Sequence, residues 1–177
     1  MIARFDETTT APAAVISHLK HCWEHLLASG PEGPMQGYMR DALEKLEGAD
    51  LNDLKGGDTQ LLVALNGAQQ LQGTIFYLER GGNWYFWGLY VAPEWQGSGI
   101  GSELLKAVEK ALPPASVLRA TVDQSDQRVR HFYRERGYQE VTLDSPMGRR
   151  MTEQPRAAGA VPEAEVALLI IEKAITA

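Results

Sequence analysis

An apolar segment, a glycine-rich turn and an amphipathic segment follow one another near the middle of the chain. They are Tyr85–Val91, Gln96–Gly101 (Gln-Gly-Ser-Gly-Ile-Gly) and Ser102–Val108. Glycine has no Cβ, so the backbone can turn sharply and a ligand can approach its amides closely. A helix that begins at the turn adds unpaired N–H groups and the positive end of its dipole. This order predicts a strand–turn–helix junction that binds a phosphate or pyrophosphate.

The glycine spacing distinguishes three kinds of phosphate-binding junction. A P-loop ends in Gly-Lys-Ser/Thr, whereas this chain has no lysine at Ser102. A dinucleotide fingerprint requires a third glycine where this chain has Leu104. What remains is Gln-x-x-Gly-x-Gly, preceded by Val-x-Pro at Val91–Pro93. A glycine-rich turn without a ligand is the alternative interpretation of this segment alone.

A second motif lies about thirty residues further on, over Asp126–Tyr138. The pair Phe132-Tyr133 and the later Gly137 match the pattern Asn-x-x-Ala-x-x-Phe-Tyr-x-x-x-Gly-Phe. Asp126 stands in place of the Asn and Val129 in place of the Ala. The two motifs, in this order, resemble those of the GCN5-related N-acetyltransferase (GNAT) superfamily.

The resemblance covers Gln60–Tyr138 and implies a fold. The expected class is mixed α+β, the GNAT acyl-CoA N-acyltransferase fold, with a central, mostly antiparallel mixed sheet and helices on both faces. Two parallel neighbours, Trp84–Val91 and Val117–Val122, would splay apart to admit the pantetheine arm. An opened strand end supplies backbone amides that a closed sheet would pair.

The resemblance also implies acetyl-CoA as co-substrate, without a metal, and a set of site residues. Tyr133 would be the general acid toward the CoA sulfur, and packing under the sheet is its alternative role. Asp126 can accept hydrogen bonds but not donate them when ionised, so it is also expected to be a helix N-cap. The cofactor-binding residues would be Leu89, Tyr90, Val91, Gln96, Gly97, Ser98, Gly99, Ile100, Gly101, Ser102, Asp126 and Val129.

The general base is not identified by either motif. The two strands beside the pantetheine carry no carboxylate or histidine. Glu79, or a residue of the Asp144–Glu165 loop, could take the amine proton through water, and water alone could also suffice. His18, His21 and His25 lie on one predicted helix at spacings of three and four residues, which is also the spacing of a metal pair. Without further ligands at a supporting spacing, they are interpreted as a solvated or substrate-side face.

Hydrophobic periodicity and turn residues predict the other elements. An edge strand over Met1–Asp6 precedes a helix that ends near Ala28, and Thr8–Thr10 offer its N-cap. A second helix is predicted over Met35–Glu47 and a polar loop over Asp50–Asp58. The remaining elements are strands over Gln60–Leu65, Leu71–Glu79, Trp84–Val91, Val117–Val122 and Tyr138–Leu143, and helices over Ile100–Leu112 and Gln127–Arg136.

The last strand has competing candidates. Val166–Ile171 is the most apolar and is our prediction, which leaves Asp144–Glu165 as a long loop. Met147–Met151 could instead form a tight hairpin with the preceding strand. A terminal amphipathic helix over Glu163–Ile175, at a homodimer interface, is the other alternative.

Composition restricts the class of protein and its partners. The chain has 177 residues, which corresponds to one domain over 1–177, and its net charge of −6 gives no basic surface for nucleic acid. No segment has the roughly eighteen apolar residues of a membrane span. The single Cys22, interpreted as a buried small hydrophobe, fits a reducing cytoplasm. The predicted protein is a cytoplasmic N-acetyltransferase.

The predicted reaction is direct acetyl transfer to a primary amine of a small molecule or a peptide. Because no cysteine lies near the motifs to carry the acyl group, a ternary complex is expected. The alternative function is a catalytically weak acyl-CoA-binding regulatory or interaction domain.

Overall fold

A computed structural model gives the structure of the chain and describes residues 1–29, 40, 43–141 and 168–176. Seven strands form one sheet: β1 Ile2–Arg4, β2 Gln60–Leu65, β3 Leu71–Arg80, β4 Asn83–Val91, β5 Val117–Asp123, β6 Gln139–Val141 and β7 Leu168–Ala174. Their order across the sheet is β1-β2-β3-β4-β5-β7-β6. All neighbours are antiparallel except β4 and β5, which are parallel. The mostly antiparallel mixed sheet is therefore confirmed.

Four helices with defined bounds accompany the sheet: α1 Pro12–Ser29, α2 Leu51–Lys55, α3 Ile100–Ala111 and α4 Gln127–Arg134. A short 3-10 helix, Pro93–Trp95, connects β4 to the glycine-rich turn. Position 40 and positions 43–46 are also helical, and the rest of the predicted helix over Met35–Glu47 lies largely outside the described residues. None of the described helices is long and apolar enough to span a membrane.

The helices cover both faces of the sheet. On one face, Leu104 and Leu105 of α3 are almost fully buried against β2, β3 and β5. On the other face, Val15 and Leu19 of α1 are buried against β2 and β3. Burying one such side chain contributes roughly 1.5–3 kcal/mol, so each helix is fixed by its apolar stripe. The prediction of helices on both faces is confirmed.

Two local predictions near the N-terminal half are wrong. The predicted loop over Asp50–Asp58 contains α2, which Asp50 caps by accepting a hydrogen bond from the N–H of Asn52 at 2.6 Å. Five residues are too few to show periodicity, and burial of Leu51 in the core stabilises this helix instead. The Thr8 and Thr9 hydroxyls donate to Asp6 and do not cap α1. Thr10 Oγ1 also makes no hydrogen bond.

The last strand is β7, which is inserted between β5 and β6. It pairs with β5 along its whole length, from Leu168 to Ala174. The strand predicted within Val166–Ile171 is confirmed, and the helical alternative is wrong over β7. Met147–Met151 and the long loop over Asp144–Glu165 lie outside the described residues.

Candidate active site

The parallel strands β4 and β5 separate soon after they meet. They pair only at Trp84–Leu118 and Tyr85–Arg119. β4 nevertheless stays paired with β3 on its other side as far as Val91, and β5 stays paired with β7. Over 86–91, which we call the open end of β4, the edge toward β5 therefore has no strand partner among the described residues. The predicted splay is present in the structure.

A bulge in the open end of β4 bends the strand. Trp87 pairs with Phe76 and Tyr90 pairs with Thr74, so two residues of β4 lie opposite one residue of β3. Gly88 has φ of +61°, and a Cβ at this position would lie 2.6 Å from Cδ2 of Phe76. Only glycine fits both conditions. The bulge leaves an extra residue out of the ladder and increases the local twist, which turns the strand end away from its neighbour.

The glycine-rich turn is exposed and leads directly into α3. Gly97 and Gly99 have φ of +79° and +91°, and no atom lies within 4 Å of a Cβ built on either residue. Gly99 is the N-cap of α3 and makes no side-chain cap bond. The first amides of the helix therefore remain available for a ligand. The strand–turn–helix junction predicted from the sequence is present.

Side chains of the turn are engaged within the protein. Gln96 donates from Nε2 to the Val91 carbonyl at 3.3 Å and accepts from Arg128 at 3.2 Å. It thus ties the turn to the open end of β4 and to α4. The Ser98 N–H donates a hydrogen bond to the Trp95 carbonyl at 3.3 Å. This amide was predicted to bind the pyrophosphate, but in the structure it already has a partner within the protein. Ser102 Oγ accepts two hydrogen bonds from Arg136.

The second motif forms α4 and the turn that ends it. Asp126 accepts a hydrogen bond from the Val129 N–H at 2.9 Å, which confirms the predicted N-cap. At the other end, Tyr138 N–H bonds the Tyr133 carbonyl, and Gly137 with φ of +82° occupies the left-handed position. This pattern is a Schellman C-cap. Contacts of Asp126 and Val129 with a ligand stay predictions.

Tyr133 is 7% exposed and packs within an aromatic cluster. Its ring centroid lies 5.7 Å from that of Phe86 and 5.5 Å from that of Tyr138. Burial raises the pKa of Tyr133, and the Tyr90 phenol raises it further, while Arg136 lowers it. Tyr133 therefore stays protonated at neutral pH, as a proton donor must. The packing role is present in the structure, and the acid role stays a prediction.

Glu79 is far from the open end of β4. Its carboxylate accepts a hydrogen bond from the Gly82 N–H in the β3–β4 turn. Glu79 pairs with Trp84, which is six residues before Tyr90, or about 20 Å along a strand. This geometry removes Glu79 as a base acting directly at the thioester.

Histidines of α1 are close to the open end of β4. His18 is 7% exposed, and its Nε2 lies 3.4 Å from the Tyr90 carbonyl oxygen. The interpretation as a solvated face is therefore wrong for His18, although His21 and His25 are exposed. Burial lowers the pKa of His18, and the Tyr90 carbonyl partly opposes that effect. Within the described part of the chain, no three His, Cys, Asp or Glu side chains are grouped to hold a metal.

His21 forms a contact with Glu94 that the sequence did not indicate. Its Nε2 lies 3.1 Å from Oε2 of Glu94, and both side chains are a little over half exposed. Glu94 belongs to the 3-10 helix after β4, so the pair links α1 to the segment between the open end and the glycine-rich turn. The contact joins residues 73 positions apart, which no local pattern reveals.

Cys22 is buried, as predicted, with 3% of its surface exposed. Its Sγ lies 3.6 Å from Nε2 of His18, so the thiol is nearer to the site than the sequence suggested. Burial is the main cause that raises the pKa of the Cys22 thiol to about 12. Because the thiolate is the nucleophile, this environment makes Cys22 unreactive.

Solved structures with the same fold cover nearly the whole chain. The PaiA N-acetyltransferase from Thermoplasma acidophilum, in complex with coenzyme A, is 18% identical, with 98% of this chain and 99% of that chain covered and a TM-score of 0.62. An aminoglycoside 6′-acetyltransferase type Ii is 17% identical, and the match covers 100% of this chain and 98% of that chain with a TM-score of 0.60. The ribosomal-protein-S18-alanine N-acetyltransferase from Escherichia coli is 13% identical, and the match covers 100% of this chain and 94% of that chain with a TM-score of 0.61.

Sequence comparison gives the family directly. No curated protein matches the sequence significantly. A profile of the acetyltransferase (GNAT) family matches residues 20–138, which is more than half of the chain and contains both motifs. The splayed strands and the glycine-rich turn described above lie within this match. The chain therefore belongs to the acetyltransferase (GNAT) family.

Proposed function

We propose that the protein transfers an acetyl group from acetyl-CoA directly to a primary amine, within a ternary complex. One observation carries the proposal: the gap between β4 and β5 lies beside the exposed Gly97–Gly101 turn. A pyrophosphate bound by the turn would direct the attached pantetheine arm into the gap. Membership of an acetyltransferase family supports the same donor.

The open end of β4 would provide electrostatic catalysis. Attack of an amine on the thioester places negative charge on the carbonyl oxygen, and preorganised N–H groups stabilise that charge. The Leu89 amide, next to the bulge at Gly88, is the candidate for this role. Tyr133 would then donate a proton toward the departing CoA sulfur. Direct transfer is favoured over an acyl-enzyme because Cys22 is buried and its thiol pKa is raised.

The proposed acceptor is a chemical class, the primary amines. Among proteins of similar fold, one is named for aminoglycosides and another for the alanine of ribosomal protein S18. Small-molecule and protein amines are therefore both compatible with the fold. A net charge of −6 favours a cationic acceptor by long-range attraction.

Calorimetric titration with acetyl-CoA tests the donor site. We expect saturable binding by the wild type and a Kd at least about 100-fold weaker in Gly99→Glu, which corresponds to about 2.7 kcal/mol. Gly81→Glu is the matched control, because Gly81 also has a positive φ and open space but lies in the distant β3–β4 turn. Equal affinity of the two variants would contradict the assignment.

The second candidate function is a regulatory domain that binds acyl-CoA but catalyses poorly. Two observations favour it: Glu79 lies far from the site, and Tyr133 is packed in an aromatic cluster. Release of the CoA thiol across a panel of primary amines separates the two functions. Tight acetyl-CoA binding without release for any amine would favour the regulatory domain.

A further inference from the structure

The two faces of the sheet give the donor and the acceptor separate approaches to the thioester. The glycine-rich turn leads into α3, which packs on one face. α1 packs on the other face, together with Phe76 and Tyr90. If the CoA arm enters from the α3 side, as the proposed function requires, an amine that attacks the thioester carbon must enter from the α1 side. A base for that amine should therefore be sought on the α1 side.

The α1 side of the open end carries a group of titratable residues. His18 contacts the Tyr90 carbonyl, and His21 follows one turn later on α1. His21 is held by Glu94, which lies only three residues after Val91. Glu94 and His21 also influence the ionisation of His18, so the three groups are electrostatically coupled. His18 thus contacts the open end directly, and His21 and Glu94 adjoin it through α1 and the 3-10 helix.

We propose that His21 is the general base that accepts the proton of the acceptor amine, and that Glu94 is its positioning residue. This inference rests on the proposed acetyl transfer. The arrangement is the same as in other base–carboxylate pairs: one ring nitrogen is fixed by an acid, and the other is left to accept a proton.

The pair has the protonation states that this role needs. The Glu94 backbone N–H and the His21 side chain lower the pKa of Glu94, so the carboxylate is ionised at neutral pH. An ionised carboxylate only accepts, so Nε2 of His21 carries the hydrogen. Nδ1 then holds the lone pair that accepts the amine proton. The resulting imidazolium keeps its hydrogen bond to Glu94.

The atoms of the reaction balance without a further reagent. His21 takes one proton from R–NH3⁺, and the free amine attacks the thioester carbon. A C–N bond forms, the C–S bond breaks, and the second amine proton goes to the CoA sulfur, by way of Tyr133 or water. Because the His21 side chain is 55% exposed, the imidazolium then returns its proton to solvent.

Titratable groups on two elements surround His21. Glu94 faces it from the 3-10 helix, and on α1 its neighbours are His18, Cys22, Glu24 and His25. Burial lowers the pKa of His18, so this neighbour is uncharged and does not repel a proton on His21. The Cys22 thiol is likewise neutral. Glu94 and Glu24 are the acidic groups of this set.

The pH dependence of turnover tests the proposal. Rates of CoA release with the best acceptor amine are measured from pH 5 to 9, together with calorimetric Kd values for acetyl-CoA. In His21→Gln we expect kcat/KM to fall by about 10²–10⁴-fold at neutral pH, with an unchanged Kd for acetyl-CoA. The acid limb of the wild-type profile, which reports protonation of the base, should disappear.

Two further variants distinguish catalysis from a simple surface contact. Glu94→Gln should lower kcat/KM by less than His21→Gln, and through kcat rather than KM, because the imidazole loses the carboxylate that orients it. His25→Gln, on the same helix and also exposed, should leave both rate and profile unchanged. A surface ion pair alone contributes about 0.2–1 kcal/mol and would not move the limb.

One result would contradict the role of His21, and a different result would contradict the proposed acetyl transfer itself. If His21→Gln keeps its rate within threefold and retains the acid limb, the base is another group and this inference is wrong. If the wild type binds acetyl-CoA but acetylates no amine, the proposed function itself fails, and this inference fails with it.

Discussion

Replacing Gly88 with alanine tests whether the bulge in β4 requires a residue without a side chain. The backbone at Gly88 has φ of +61°, where an L residue costs roughly 1–2 kcal/mol. An added Cβ would also lie 2.6 Å from Cδ2 of Phe76. Phe76 is fully buried and stacks on Trp87 at a centroid distance of 4.2 Å, so it has little room to move. Such overpacking costs typically about 1–3 kcal/mol.

Gly88→Ala should therefore lose about 2–5 kcal/mol of unfolding free energy, the sum of both effects. Gly81→Ala is the control, because Gly81 has φ of +62° and an added Cβ there would meet no atom within 4 Å. The control should lose only the conformational part, about 1–2 kcal/mol. The difference between the two variants, about 1–3 kcal/mol, isolates the clash with Phe76.

Urea denaturation, followed by tryptophan fluorescence, measures both variants. The midpoint should fall further in Gly88→Ala than in Gly81→Ala, with an unchanged slope. Gly88→Ala should also weaken acetyl-CoA binding, because relief of the clash would change the open end of β4. Equal destabilisation of the two variants would refute the close approach of Gly88 to Phe76.

Other predictions address single side chains of the site. Tyr133→Phe should lower kcat by up to about 100-fold in the CoA-release assay, with an unchanged Kd for acetyl-CoA, because only the hydroxyl is removed. Cys22→Ser should retain turnover within a few-fold, whereas loss of turnover with normal folding would indicate an acyl carrier. Asp126→Ala should cost about 0.5–2 kcal/mol in denaturation, and Asp126→Asn should restore most of it. Because the folded-state pKa of His18 is lowered, stability should fall as pH drops below about 6.5, and His18→Asn should flatten that fall.

Much of the fold was predictable because its signals are local. Alternating or apolar segments gave β2 to β5 to within one or two residues, and the apolar C-terminal segment gave β7. The N-terminal boundary of α3 followed from the Gln96–Gly101 motif, and its C-terminal boundary from the prolines after it. α2 was missed because a five-residue helix has no periodicity and depends on burial of Leu51.

The site was only partly predictable because its remaining contacts are long-range. Gly88, an isolated glycine within a strand, is a local sign of a bulge or a close approach. The residue that requires it, Phe76, lies on the neighbouring strand and could not be identified from the sequence. The pairing of His21 with Glu94 depends on how α1 crosses β4. Burial of His18 did have a sequence signal. It lies three residues after Val15 and one before Leu19, on the apolar stripe of α1.

Hydrogen exchange with and without acetyl-CoA shows whether acetyl-CoA binds between β4 and β5, with its pyrophosphate on the glycine-rich turn. Saturating acetyl-CoA should slow exchange at amides of the open end of β4 and of Gly97–Gly101, and leave β1 and β2 unchanged. Saturable binding without slower exchange at either of these two segments would contradict the account.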